Sequence, residues 1–261
     1  MQTGLKERVA VVAASSQGIG LAVAHALAAE GARVAMFARR PDVLSRAADE
    51  VRAAHNVPVL SRPLDATDPA GVEDFINQVT SEWGRLDICV ANAGGPPAKP
   101  FVETTTHEWR SAVETNFLSV VHLFRAAIPH LQQRKWGRLI TITSSTVKQP
   151  LQDLVLSNAV RAGVVGLVKS LANELGRDGI LVNNVAPGYT ATDRLHELAA
   201  RRAGPGGKAQ DVFERWAADV PVGRVANPAE IADAVVWLAS ERASYVTGQT
   251  LLVDGGKYPG L

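Results

Sequence analysis

The sequence predicts one α/β domain built on a doubly wound parallel sheet with helices on both faces. Short β-branched runs alternate with longer helical patterns along all 261 residues. Such alternation implies right-handed crossovers and a parallel sheet covered on both sides. The runs are also continuously apolar, as strands buried on both faces are. Hydrophobic residues make up 46% of the chain, enough for one large core, and no linker or internal repeat divides residues 1–261.

Taken in order, Arg8 to Ala14 reads as the first strand, and the alanine-rich Gly18 to Glu30 as a helix that Gly31 ends. Strand Arg33 to Ala38, a helix near Asp42 to Ala54 and strand Val57 to Leu64 follow. Asp68 and Pro69 open the next helix, as N-cap and first helical residue. Leu86 to Ala91 is a fourth strand, and a long helix runs from about Thr106 to Gln133. Arg138 to Thr143 is a strand, Asp153 to Arg177 a second long helix and Ile180 to Val185 a sixth strand. Asn227-Pro228-Ala229-Glu230 has the capping-box pattern of a late helix, and Gln249 to Val253 is the last strand. The one loose stretch is Arg201 to Gln210, which contains Gly204-Pro205-Gly206-Gly207. It follows the sixth strand, and ligands sit beyond the carboxyl ends of strands in such sheets. Residues 193–220 are therefore expected to form a substrate loop or lid, the alternative being a surface loop without a role.

Charge narrows the partners. The net charge of +1 offers no basic field for nucleic acid or anionic lipid. Cys89 is the one cysteine, so no internal disulfide is possible, and it is expected to pack as a small core residue. The polar start Met1 to Arg8 has no signal-peptide core, and the apolar stretches read as strand-length, which predicts a cytoplasmic chain without a membrane span. The six histidines show no close pairing or metal-ligand spacing, so no metal site is expected.

The first candidate site lies where the first strand meets the first helix, in Ala13-Ala14-Ser15-Ser16-Gln17-Gly18-Ile19-Gly20. Gly18 and Gly20 let a backbone approach a pyrophosphate, and the helix N-terminus offers free N–H groups and partial positive charge. Two glycines alone are weak support; their place between strand and helix strengthens the reading over a tight turn without ligand. At the end of the second strand stands Phe37-Ala38-Arg39-Arg40. An acidic residue there would accept from the ribose 2′-OH of NAD(H) and repel a 2′-phosphate. Two guanidinium groups instead favour NADP(H), with NAD(H) second, unless both arginines are merely solvated helix-start residues.

Further motifs follow in order: Asp65 after the third strand, Asn92-Ala93-Gly94 after the fourth, Asn116 in the long helix and Ser144 after the fifth strand. Asn183 to Gly188 contains Pro187-Gly188, Thr192 comes next, and Tyr245 to Gly256 carries Thr-Gly-Gln and Asp-Gly-Gly. With these, nearly the whole chain resembles a short-chain dehydrogenase/reductase of the classical type, similar to β-ketoacyl-carrier-protein reductases. The resemblance implies a single NAD(P)-binding Rossmann domain. It places Ser16, Gln17, Gly18, Ile19, Gly20, Arg39, Arg40, Asp65 (against the adenine), Asn92, Gly94, Pro187, Gly188 and Thr192 at the cofactor. It also implies a homotetramer, paired through the two long helices and through Thr250 to Val253.

Two departures matter. The family's opening Thr-Gly is Ala13-Ala14 here, which fits if the backbone keeps φ negative; it narrows the turn, so weaker cofactor binding is expected. The family's catalytic Tyr, and the Lys four residues on, fall by register from Ser144 on Ser157 and Arg161. Four residues apart on a helix, both share one face. A serine hydroxyl is a poor proton donor at neutral pH, and general acid catalysis usually contributes about 10²–10⁴-fold. Arg161 keeps a positive charge but, with a pKa above ~12, cannot relay a proton. Asn116, Ser144, Ser157 and Arg161 are thus the candidate catalytic set, and Lys148, Asp153 and Tyr189 are candidate replacement acids that also read as rim or packing residues. The expected function is an atypical NADP(H)-dependent oxidoreductase on a small carbonyl or alcohol. The alternatives are a nucleotide-binding non-redox protein, regulatory or scaffolding, and a lyase or isomerase using the same pocket.

Overall fold

The computed structural model describes residues 2–204 and 206–260. Strands Val9–Ala13 (β1), Arg33–Ala38 (β2), Val59–Pro63 (β3), Ile88–Ala91 (β4), Gly137–Ile142 (β5), Ile180–Pro187 (β6) and Thr250–Val253 (β7) form one parallel sheet in the order β3-β2-β1-β4-β5-β6-β7. The chain winds outward from β1 to β3, then returns to lay β4 against β1 and winds the other way. That reversal opens a crevice beyond the carboxyl ends of β1 and β4.

Helices cover both faces. Gly18–Ala29 (α1), Pro41–His55 (α2) and Pro228–Ala239 (α9) bury Val23, Leu27, Leu44, Val51, Ile231 and Val235 on one side. Pro69–Trp83 (α3), Thr106–Val113 (α4), Ser119–Arg134 (α5) and Val155–Leu175 (α6) follow one another between the strands on the other side. Phe75, Phe124, Val164 and Val168 of α3, α5 and α6 form that second core. Each such side chain contributes about 1.5–3 kcal/mol by leaving water. Cys89 is fully buried in the same core, as expected. Asp68 caps α3 by accepting from Gly71 N at 3.1 Å, and Asn227 and Glu230 form the capping box of α9. Asp193–Ala203 (α7) and Ala209–Ala218 (α8) pack together around Leu195, Ala199, Val212 and Trp216.

Four expectations need correction. The helix read as continuous from Thr106 is interrupted by a π-helical segment, Glu114–Leu118, which inserts a wider turn. The loose stretch is shorter than Arg201 to Gln210, because α7 runs through Arg201 and Arg202 to Ala203 and α8 starts at Ala209; Pro205 lies outside the described residues. Apolar stretches are not all strand-length: Val155–Asp178 is long and apolar enough to cross a membrane by length and composition. It packs instead on the sheet through Val164, Val168, Ala172 and Leu175. The histidines do include a close pair, with His25 Nδ1 3.1 Å from His55 Nε2 and His25 Nε2 3.7 Å from Glu50 Oε1. These residues are 30 apart in sequence, and they meet because α1 and α2 lie side by side on one face.

Candidate active site

Residues marked out in the sequence converge on the carboxyl edge of the sheet. Ser16, Gln17, Gly18, Ile19 and Gly20 follow β1, Arg39 and Arg40 follow β2, and Asp65 follows β3. Asn92 and Gly94 follow β4, Ser144 follows β5, Pro187 ends β6, and Gly188 and Thr192 come directly after it.

The turn after β1 is held from both sides. Ser15 is fully buried and its hydroxyl donates to Val12 O at 2.9 Å. Gly18 has φ 58°, and Thr192 lies over it, near enough that a Cβ there would touch Thr192 Cγ2 at 3.4 Å. A Cβ on Gly20 would collide with the Ala14 carbonyl oxygen and with Asn92. Asn92 Nδ2 points at that same carbonyl from 3.5 Å, so the β4 loop closes on the turn. Ala14 itself has φ 49°. The condition under which alanine would fit without strain is therefore not met, and glycine is the residue this backbone suits.

The start of α1 differs from its neighbours. Asp68, Thr105, Thr192 and Asn227 cap α3, α4, α7 and α9 with side-chain oxygens. Gln17 makes no such cap on α1, and the first turn of α1 has no acidic residue. Its leading N–H groups and positive end are left for an anion. Gln17 Oε1 accepts from Arg40 Nη2, which brings that guanidinium to the turn. Arg39 and Arg40 are both exposed. Asp65 accepts from Thr67 N at 3.0 Å and from Thr67 Oγ1 at 2.9 Å.

On the far side of the crevice, Asn116 sits inside the π-helical segment, 5% exposed, and its Oδ1 has no partner among the described residues. Ser144 Oγ accepts from Thr146 N at 3.2 Å and caps the short turn Ser145–Val147. Ser157 and Arg161 lie one turn apart on α6, both 8% exposed. The Ser157 hydroxyl has no protein partner among the described residues. Arg161 Nη1 donates to Ile142 O at 3.2 Å and Thr143 O at 2.6 Å, and Nη2 reaches Ala93 O at 3.5 Å. Burial first, then the nearby cation of Arg194, bring the guanidinium down to about 10, lower than the sequence reading placed it and still protonated at neutral pH.

The candidate replacement acids are placed differently. Lys148 is exposed beyond the Ser145–Val147 turn, and Asp153, at φ 60°, precedes α6. Tyr189 is stacked on Trp216 with ring centroids 4.9 Å apart, with Lys257 Nζ 4.8 Å from its ring centre. Sequence reading passed over Arg194, whose Nη2 donates to Pro96 O at 2.6 Å in the loop after β4. Its one sequence signal is its position two residues after Thr192.

Residues 13–257 match the family model described as enoyl-(acyl carrier protein) reductase. The chain is 36% identical to the 3-oxoacyl-(acyl-carrier-protein) reductase of Escherichia coli (strain K12), over 96% of this chain and 97% of that one. It is 36% identical to a 3alpha-hydroxysteroid dehydrogenase of Mediterraneibacter gnavus, over the same shares of each chain. Among solved structures it is similar to the L-sorbose reductase of Gluconobacter frateurii, crystallised with NADPH and L-sorbose, at a TM-score of 0.95 and 34% identity over 100% of both chains. Sheet order, glycine turn and matches over nearly the full length agree, and the chain belongs to the short-chain dehydrogenase/reductase family.

Proposed function

We propose that this chain is an NADP(H)-dependent oxidoreductase acting on a small carbonyl or alcohol, with Ser157 and Arg161 standing where the family carries its Tyr and Lys. The observation that carries the cofactor reading is the uncapped, acid-free start of α1 behind the Gly18–Gly20 turn, with Arg39 and Arg40 beside it. The reductase relatives, one of them solved with NADPH, support it.

The residues fit the dinucleotide. Ser16, Gln17, Gly18, Ile19 and Gly20 would hold the pyrophosphate, Arg39 and Arg40 the 2′-phosphate and Asp65 the adenine. Asn92, Gly94, Pro187, Gly188 and Thr192 would line the rest of its path. When bound, the nicotinamide supplies hydride. The chain's part is to position and to manage protons. Ser144 and Ser157 hydrogen-bond a substrate oxygen, and Asn116 orients water from the π-helical segment. Arg161 holds charge without moving a proton, because it stays protonated at neutral pH. The lack of a phenol at position 157 also favours a second reading, in which the pocket binds nucleotide without redox turnover or serves a lyase or isomerase. Residues 193–220 act as the substrate lid, and the enzyme works as a cytoplasmic homotetramer.

Isothermal titration tests the reading. NADPH is expected to bind at least about tenfold more tightly than NADH, one charge-assisted phosphate contact being enough for that ratio. Equal affinities refute the NADP(H) preference. Tight NADPH binding without turnover of any ketone or aldehyde in a broad panel favours the non-redox reading.

A further inference from the structure

The α7–α8 hairpin is joined to the rest of the chain in two different ways. At its roots the backbone itself is paired. Thr190 and Ala226 form a parallel bridge, with Ala191 N donating to Ala226 O at 2.8 Å and Ala226 N to Tyr189 O at 2.9 Å. Tyr189 also stacks on Trp216 of α8, so the root packs with the hairpin. Along α7 the fastening is by side chains. Arg194 Nη2 donates to Pro96 O at 2.6 Å, after β4, and Arg202 Nη2 to Gln152 O at 3.4 Å, between β5 and α6.

These two arginines stand near the two ends of α7, about two helical turns apart and so on nearly the same face. The loops they reach are themselves joined, by the parallel bridge between Lys99 and Leu154. One wall of the crevice thus receives both bonds. That wall carries the site: the loop of Pro96 follows Asn92 and Gly94, and the loop of Gln152 connects Ser144 to Ser157. Both bonds end on neutral carbonyls, and the carboxylate within reach of Arg194 is Glu197 of α7 itself, at 3.9 Å. A guanidinium–carbonyl bond is strong enough to hold a packed element in place and weak enough to open within a catalytic cycle.

We infer that Arg194 and Arg202 are positioning residues that latch the hairpin shut over the crevice, with the Tyr189–Ala226 root as its hinge. The inference rests on the oxidoreductase reading and its substrate lid, and it gives that lid a fastening. Opening parts α7 from the loops after β4 and β5 while the backbone pairing at the root stays made. Closure keeps water from Ser144 and Ser157 and holds the loop between them still. The Arg194 bond also runs from the segment after β6 to the loop after β4, two stretches that line the proposed path of the dinucleotide, so release of the cofactor waits on it.

Hydrogen exchange read by mass spectrometry on the full chain, with and without NADPH, tests the latch. R194Q is expected to speed exchange of the α7 and α8 amides by about tenfold, the loss of one charge-assisted bond, with the amides of β1, β4, β5 and β6 unchanged. R202Q, whose bond is longer and exposed, is expected to speed it by about threefold. R194K is expected to stay near the wild type, because a cation that donates to Pro96 O remains. NADPH dissociation, followed by stopped-flow fluorescence, is expected to quicken in R194Q by about the same factor as exchange. Unchanged α7 and α8 exchange in the folded variants overturns the inference, and so does faster exchange spread equally through the strands, which marks a bond with a merely structural role. Should R194Q fail to fold, R202Q at its exposed position decides the matter alone. A wild type that binds no NADPH overturns the proposed function, and exchange of the cofactor-free variants still decides the latch.

Discussion

At the scale of single residues, two positions depart from the pattern that the sequence resemblance implies. Ala14 adopts φ 49°, a left-handed backbone that costs an L-residue more than glycine. Ala14→Gly is therefore expected to stabilise the protein by about 1 kcal/mol, raising Tm by roughly 2–4 °C, and to tighten NADPH binding. Thermal denaturation with and without NADPH checks this; a fall in both would mean that the turn is better ordered with alanine. The second position is the Ser157–Arg161 pair. Ser157→Tyr with Arg161→Lys is expected to raise NADPH-dependent reduction of an acetoacetyl thioester or a diketone by about 10²-fold, with each single change gaining far less. Arg161→Lys also gives up bonds to the Ile142 and Thr143 carbonyls, at a cost of about 1–3 kcal/mol of stability, so each variant's unfolding is measured beside its rate. A folded double variant that binds NADPH and gains nothing would mean that the pocket has diverged beyond this pair.

At the scale of elements, most of the fold was readable because local chemistry decides it. Asp68-Pro69 and Asn227-Pro228-Ala229-Glu230 announce helix starts through bonds made within four residues, and both caps are present. Glycines at positions 18 and 20 likewise mark the turn from sequence. What stayed hidden depends on neighbours distant in the chain. No local signal distinguishes the π-helical turn at Glu114–Leu118 from the α-helix on either side of it. The burial of Arg161 depends on carbonyls 18 and 19 residues away, and the His25–His55 contact depends on how α1 meets α2. That contact carries a pH dependence. Burial, and then His25, hold His55 below its ordinary 6.5. Because the folded value is depressed, the contribution of neutral His55 is fully present above 6.5 and is lost as pH falls through the lower folded value. Urea midpoints measured between about pH 7.5 and pH 5 should fall for the wild type and fall less for His55→Gln. Parallel curves would remove the pair from the acid response.

At the scale of the whole molecule, the sheet ends in β7, a half-buried edge strand, and Trp237 and Tyr245 are exposed nearby in sequence. Closed symmetric assembly is the common outcome for soluble oligomers. Light scattering at micromolar concentration is expected to give four times the 27.7 kDa chain mass, and a monomer would refute the tetramer. The α7–α8 hairpin stands apart from this framework. Its interior of Leu195, Ala199, Val212 and Trp216 shares no residue with the two cores against the sheet. A segment that brings its own interior is modular. Residues 193–220 form a natural cassette for chimeras: a graft from another reductase would replace that interior as one unit, and the two cores against the sheet would keep all of their side chains.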